Sequence, residues 1–353
     1  MNTNLFSYKH LLSAYTELRC QENNSLVISF LQGDNTTNTR LTTSGVSARV
    51  YKKGAWGFAS HPEISDKGVR FVLDTATRNS NFLAAKEPQP DIPLPHGGVT
   101  TDRDTPEPQN QLRSEDLVPF LKEIDHYIAT KYPRISSRTV SLNCSELKKT
   151  LLNSDGVSAY SYLPRSFIAI GMTVEQEGAP VRLQELFGGR GQFTDLFTAP
   201  EALFSKIDWL YEHLMRKREG IFAEAGLKTC VLAPELTGIL AHEAIGHTCE
   251  ADLVLGGSIA GSHLGHPVAS PLVSLVDFAH TALGATCPVP VVVDDEGSAA
   301  QDAVLIDRGI LKGFLHNKES ARHFGVAPTG NARAFRFSDE PLIRMRNTAI
   351  LPG

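Results

Sequence analysis

Two histidines and a glutamate fall close together in a mostly apolar segment that runs from Pro234 to His247. Their order is H-E-x-x-x-H, with His242, Glu243 and His247 at the fixed positions. Imidazole nitrogens are common zinc ligands, and a carboxylate beside them can act as a general base toward water. We therefore predict that His242 and His247 bind a metal ion and that Glu243 is the catalytic base.

The spacing of the two histidines is one residue longer than in the H-E-x-x-H motif of zinc peptidases. On a regular α-helix, residues five apart point about 140° away from each other, too far round to share one ion. Either a π-turn widens the helix, or the helix ends at Gly246 and the glycine lets the chain bend. A buried helix with two histidines by chance is the competing interpretation. Against it, the Glu243 carboxylate in an apolar segment needs a charged or metal partner.

The elements around the motif predict an α+β fold. We expect an N-terminal α+β domain over residues 1–230 and a mainly β catalytic domain over residues 231–353, with the motif helix near the junction. Six prolines from Pro88 to Pro108 predict a linker over about residues 86–110, because proline removes backbone donors.

Two features of the second half carry strand predictions. The β-branched run from Val289 to Val293 predicts a strand, with Pro290 near its start. Asp307-Arg308-Gly309 lies between two apolar runs and predicts a three-residue hairpin loop with glycine at a positive φ.

Composition limits the class of protein and its partners. Of 353 residues, 41% are hydrophobic and 21% charged, ordinary values for a soluble folded protein. A net charge of −5 gives no basic footprint, so we predict no nucleic-acid partner. We see no signal sequence and no apolar run of about 18 residues, which predicts a cytoplasmic protein without a membrane span. The five scattered cysteines are predicted to be reduced thiols, most of them buried.

The segment from His242 to Asp252, His-Glu-Ala-Ile-Gly-His-Thr-Cys-Glu-Ala-Asp, resembles the H-E-A-x-G-H core of the TldD/PmbA family, on the TldD side. The resemblance spans nearly the whole chain, and the combination of its motifs is highly specific. Further segments that look like family blocks lie in the same order along the chain: Gly54 to Ala59, Asp294 to Gly297, Gly309 to Gly313, Pro328 to Arg333 and Arg344 to Thr348.

The resemblance implies a zinc-dependent peptidase that acts on unfolded or small peptides, usually as a dimer with a PmbA-like subunit. It also implies that His242 and His247 are zinc ligands and that Glu243 is the general base. The third ligand of the family is a cysteine from a glycine-rich segment beyond the match that ends here at Gly353, so we expect a catalytic domain incomplete at its C-terminal end. The alternative is a catalytically impaired assembly or regulatory subunit.

Three further side chains near the motif are candidate ligands or cleft residues. Cys249 lies too close to His247 in sequence to complete a tetrahedron with ease, and we expect it to be a buried thiol. His263 and His266 follow a glycine-rich stretch and either line the cleft or belong to a mobile loop.

Two charged groups in the last third have open roles. Asp294, Asp295 and Glu296 either hold a metal or form a polar turn. Four arginines either orient a peptide carboxylate or form a solvated basic surface: Arg333, Arg336, Arg344 and Arg346.

Overall fold

A six-stranded antiparallel sheet forms the framework of the first 190 residues, in a computed structural model that describes residues 5–12, 14–97 and 113–353. The strand order is β3-β2-β1-β4-β5-β6. The strands are β1 (Tyr15–Leu31), β2 (Asp34–Lys52), β3 (Ala55–His61), β4 (Ser137–Asn153), β5 (Ser158–Gln176) and β6 (Ala179–Arg190).

Helices cover one face of this sheet. They are α1 (Asp66–Lys86), α2 (Ser114–Lys131), the short α3 (Phe193–Leu196) and α4 (Phe204–Arg218). Side chains alternate along a strand, so Leu18, Cys20, Ile28 and Phe30 of β1 point to the same face. Leu18 and Cys20 pack in a core with α1, whereas Ile28 and Phe30 pack in a second core with α2 and α4.

The opposite face of the sheet is polar where it meets the last third of the chain. Arg19 of β1 and Lys149 of β4 approach Asp295 Oδ2 at 3.2 and 2.6 Å. Arg49 of β2 reaches Glu296 Oε1 at 2.5 Å. The acidic turn predicted as a metal site or a polar turn is therefore a buried polar turn, in which Asp295 and Glu296 pair with cations of the sheet.

The last third contains short strands and short helices. A four-stranded antiparallel sheet has the order β11-β10-β7-β14, and two further strand pairs stand apart from it. The strands are β7 (Leu275–Phe278), β8 (Thr281–Ala282), β9 (Ala285–Thr286), β10 (Ala303–Asp307), β11 (Ile310–Leu311), β12 (Ala332–Arg333), β13 (Leu342–Ile343) and β14 (Asn347–Ile350). The helices are α5 (Pro234–Leu240), α6 (Ala251–Leu255) and α7 (Lys318–Phe324).

One strand prediction was wrong, and one predicted hairpin is present with a shorter loop. The run from Val289 to Val293 forms only an isolated bridge at Val293, because prolines at positions 288 and 290 remove backbone donors that a ladder needs. The hairpin between β10 and β11 is present. Its loop is two residues rather than three, with Arg308 at φ 44° and Gly309 at φ 80°.

Other expectations have mixed outcomes. Residues 98–112 of the predicted linker and its flank lie outside the described residues, and residues 88–97 have no regular secondary structure.

All five cysteines are free thiols, three of them buried. No helix among the described residues combines the length and the apolar character needed to cross a membrane. The domain boundary near residue 230 stays a prediction.

Candidate metal centre

The H-E-x-x-x-H motif lies on a widened turn of helix. After α5 ends at Leu240, residues Ala241–Gly246 form a π-helix and His247–Cys249 a 3-10 turn. The backbone N–H of His247 donates to the carbonyl of His242, a bond that spans five residues. Of the two predicted geometries, the π-turn is confirmed. The helix does not end at Gly246, whose φ of −56° and ψ of −55° are helical.

The π-turn brings the three candidate side chains of the motif close together. The ring centroids of His242 and His247 are 4.7 Å apart, with the planes at 78°. Ligand atoms of His242, Glu243 and His247 all lie within 4.8 Å of one another. Ligands of a tetrahedral zinc ion are about 3.3 Å apart, given bonds of about 2.0–2.1 Å, so small side-chain rotations suffice. The histidine and carboxylate donors therefore fit a zinc ion.

Close packing requires a glycine at position 246, whereas its backbone conformation does not. A Cβ atom there would lie 1.9 Å from Sδ of Met345. Met345 is 8% exposed and belongs to the core beneath the motif, together with Ala241 and Cys249. The backbone of the π-turn thus presses directly against the segment that leads into β14.

Glu250 is a further candidate site residue, which the sequence motif did not indicate. Its Oε1 lies 3.3 Å from Nδ1 of His247, and its side chain is only 11% exposed. Burial raises the pKa of the Glu250 carboxyl, while the neighbouring imidazole opposes that rise. A carboxylate on one ring nitrogen of a histidine orients the other nitrogen toward a metal. Its position three residues after His247 was the available signal, since such residues neighbour each other on a helix.

The other ligand candidates lie away from this group. Cys249 is 1% exposed, and burial raises the pKa of its thiol to about 11, which keeps it protonated at neutral pH. His263 Nδ1 lies 3.0 Å from both the Ser262 hydroxyl and the Ile259 carbonyl. Within the described part of the chain, neither His263 nor His266 joins the metal-ligand group.

A cavity of about 520 Å³ opens beside His242, and we call it the His242 cavity. Its wall includes Thr286, Val289, Met345 and Asn347. The Asn347 side chain holds this wall in place, because it donates to the Val289 carbonyl at 2.8 Å and accepts from the Val289 N–H at 2.9 Å.

The four arginines of the last third have different environments. Arg346 is fully buried and pairs with Asp277 at 2.9 Å, so it is neither solvated nor available to a substrate. Arg336 and Arg344 are exposed, as a solvated surface predicts. Arg333 is partly buried, and its guanidinium donates to the Met345 carbonyl.

Comparison with known proteins identifies the family of the chain. Three family models match the chain: PmbA/TldA metallopeptidase domain 1 at residues 16–80, the central domain at 107–217 and the C-terminal domain at 226–353. The chain belongs to the PmbA/TldD family. In this PmbA/TldD chain, the first match holds strands β1, β2 and β3 of the six-stranded sheet, and the second holds β4, β5 and β6. The third match holds the H-E-x-x-x-H motif.

Curated relatives of this PmbA/TldD chain carry metalloprotease names. A zinc metalloprotease TldD homologue of Saccharolobus solfataricus is 27% identical over 88% of this chain and 66% of its own length. A metalloprotease of Methanothermobacter thermautotrophicus is 29% identical over the same shares of the two chains. The chain thus spans about two thirds of the length of these relatives.

A solved structure confirms the α+β fold. TldE from Thermococcus kodakarensis superposes with a TM-score of 0.70 at 17% identity, over 99% of this chain and 77% of that chain. At this identity, the likeness concerns the fold alone.

Proposed function

We propose that this chain is a TldD-like, zinc-dependent peptidase subunit that hydrolyses unfolded or small peptides. The observation that carries the proposal is the π-turn, which places two imidazoles and one carboxylate at a common point on the surface. Such a donor set is typical of zinc peptidases, in which two histidines bind the ion and a glutamate acts as base.

Each residue of the motif has a separate role in this proposal. His242 and His247 hold the zinc ion. Glu250 acts as a positioning residue, because its contact with Nδ1 of His247 leaves Nε2 of that ring for the metal. Glu243 stays free of the ion and takes a proton from the attacking water.

Zinc supplies Lewis acidity toward the scissile carbonyl and the attacking water. The exposed Glu243 carboxylate accepts the water proton and later donates it to the leaving amine, so one side chain serves as base and then as acid. The His242 cavity lies beside the first histidine of the motif and offers room for the residues that flank the scissile bond.

Catalytic zinc sites generally have three protein ligands. Within the described residues, the ligand group holds two histidines and the proposed base, and the Cys249 thiol is buried elsewhere. We therefore expect the 353-residue chain by itself to bind zinc more weakly than a site with three protein ligands. A donor from a partner or another segment would restore affinity.

We further propose that the partner is a PmbA-like subunit. Helix α5, directly before the metal motif, buries none of its residues. Its Leu236, Ile239 and Leu240 are 50%, 57% and 47% exposed. Apolar side chains gathered on one exposed helix are typical of an interaction surface. Co-expression with a PmbA-like chain, followed by native mass spectrometry, tests the pairing; two separate monomers would contradict it.

The catalytic assignment is tested with Glu243→Gln. We expect peptide hydrolysis to be lost while zinc content after dialysis, measured by mass spectrometry, stays equal to that of the wild type. Glu123→Gln, at an exposed position of α2 away from the proposed partner surface, is the matched control and should keep both properties. Near-normal turnover in Glu243→Gln would remove Glu243 from the mechanism. A zinc-loaded wild type that hydrolyses no peptide, even with its partner, would favour the impaired assembly or regulatory subunit.

A further inference from the structure

A second cavity adjoins the His242 cavity. It has a volume of about 230 Å³ and lies between β4, β5 and the segment that precedes the acidic turn. Thr286 and Val289 line both cavities, so only this short segment separates them. We call the second one the Arg333 cavity, after the guanidinium in its wall.

The cations of the Arg333 cavity outnumber the acids that are free to neutralise them. Lys149, Arg190 and Arg333 line the cavity together with Asp294 and Asp295. The Asp295 carboxylate already binds Lys149 and a further arginine of the sheet. Burial raises the pKa of Asp294 to about 7, and three backbone N–H groups donate to its oxygens. Among the described residues, neither acid forms an ion pair with Arg190 or Arg333.

Arg333 is a partly buried cation without an ion pair. Among the described residues, no carboxylate lies within 4.0 Å of its guanidinium nitrogens, and its buried Nε has no hydrogen-bond partner. Burial lowers the pKa of the Arg333 guanidinium despite the attraction of two nearby aspartates. Buried charges in proteins are normally paired, so an unpaired one beside a cavity is a suitable group to recognise an anionic ligand.

The position of Arg333 is coupled to the metal motif. Its guanidinium donates to the carbonyl of Met345, and the Met345 side chain packs against Gly246 of the π-turn. Met345 also lines the His242 cavity. Met345 therefore links the Arg333 guanidinium to the turn that carries His242 and His247.

We propose that the Arg333 cavity binds a carboxylate of the peptide substrate, with Arg333 and Arg190 as the groups that recognise it. This subsite rests on the peptidase function proposed above. Arginine forms charge-assisted hydrogen bonds with carboxylates, and the apolar wall around Val291 strengthens them by excluding water. The carboxylate is either the C-terminal group of the peptide or the side chain of an aspartate or glutamate.

Binding to the metal-free protein tests the subsite without any need for hydrolysis. Three fluorescently labelled pentapeptides of alanine serve as probes: one with a free C-terminal acid, one amidated, and one amidated with glutamate as the last residue. We expect the wild type to bind a carboxylate-bearing peptide at least about tenfold more tightly than the plain amide. Tighter binding of the free acid assigns the C-terminal carboxylate, and tighter binding of the glutamate peptide assigns the side chain.

Substitutions then locate the carboxylate. Arg333→Met should reduce the preference to less than about threefold, and Arg190→Met, at an exposed position that tolerates substitution, should reduce it in the same direction. Arg344→Met removes the same charge from an exposed position that lines neither cavity, and should keep the full preference.

Two outcomes would overturn the proposal: equal affinity of the wild type for all three peptides, or a preference that survives both Arg333→Met and Arg190→Met. Because the assay contains no metal, this result is independent of the test of Glu243. If the enzyme holds zinc and is active but shows no carboxylate preference, only the subsite proposal is refuted. If the catalytic assignment fails, the binding preference can still be measured.

Discussion

Gly246→Ala should damage both the core and the metal site through a single added methyl group. The new Cβ atom would lie 1.9 Å from Sδ of Met345 and 3.1 Å from its Cγ and Cε atoms. Non-bonded heavy atoms prefer separations of about 3.5–4.0 Å, so either Met345 or the π-turn must move. Met345 is only 8% exposed, and its neighbours leave it little room. Overpacking of this kind costs about 1–3 kcal/mol in unfolding free energy.

The same displacement should weaken zinc binding by about tenfold or more, because ligand placement within a fraction of an ångström governs affinity. Urea denaturation measures the stability change, and competition with a chromogenic chelator measures zinc affinity. Gly238→Ala is the matched control on the same helical segment, where a Cβ meets no atom within 4 Å. It should be neutral or stabilising by up to about 1 kcal/mol.

A double-mutant cycle isolates the proposed clash. Met345→Ala should cost about 2–5 kcal/mol by itself, since it leaves a cavity in the core. In that background, Gly246→Ala should cost at least about 1 kcal/mol less than in the wild type, because the space is now available. Equal stability and equal zinc affinity of Gly246→Ala and wild type would refute the packing explanation of this glycine.

Three further outcomes follow from contacts of single residues. Glu250→Gln should lower zinc affinity about tenfold to hundredfold with the fold intact by circular dichroism; unchanged affinity would remove its positioning role. Arg346→Met should lower the unfolding free energy by about 3–5 kcal/mol in urea, because it strands the fully buried Asp277, whereas exposed Arg344→Met should stay within about 0.5 kcal/mol of wild type. Burial lowers the pKa of His316 from 6.5 to about 4, so the unfolded chain takes up a proton first on acidification. Stability should fall by up to about 3 kcal/mol between about pH 6.5 and pH 4, and His316→Gln should lack that part of the loss in urea titrations at both ends of the range.

The metal motif could be predicted because its parts are local in sequence. His242, Glu243 and His247 share one short helical segment, and helix geometry alone shows that a regular α-helix cannot join them. The choice between a π-turn and a helix end was not available from these residues. It depends on Met345, which lies far along the chain and makes the glycine necessary while the backbone stays helical.

The acidic turn shows the limit of local inference most clearly. Asp294, Asp295 and Glu296 have the composition of an exposed loop, yet the charged partners of Asp295 and Glu296 come from strands β1, β2 and β4, more than a hundred residues earlier. No local pattern marks those partners, since a charged residue in a strand normally faces water. Only the assembled sheet shows that one of its faces is polar and covered.

The β-branched run from Val289 to Val293 failed as a strand prediction for a related reason. Its composition favours a strand, but two prolines remove donors, and its valines line the Arg333 cavity instead of a sheet. Strand propensity largely measures how well a side chain fits a half-buried surface, and a cavity wall offers such a surface as well.

A π-turn accommodates one extra residue within a helix. An extra residue in a regular helix rotates everything beyond it by about 100°, which would carry the rest of a helical motif to another face. Here the added length is absorbed between His242 and His247, whose backbones are joined by the wide-turn hydrogen bond. Deletion of Ala244 would turn the segment into H-E-x-x-H and could close a regular helix over the same histidine pair. The longer motif thus differs from the shorter one by a single residue, which the wide turn between His242 and His247 accommodates.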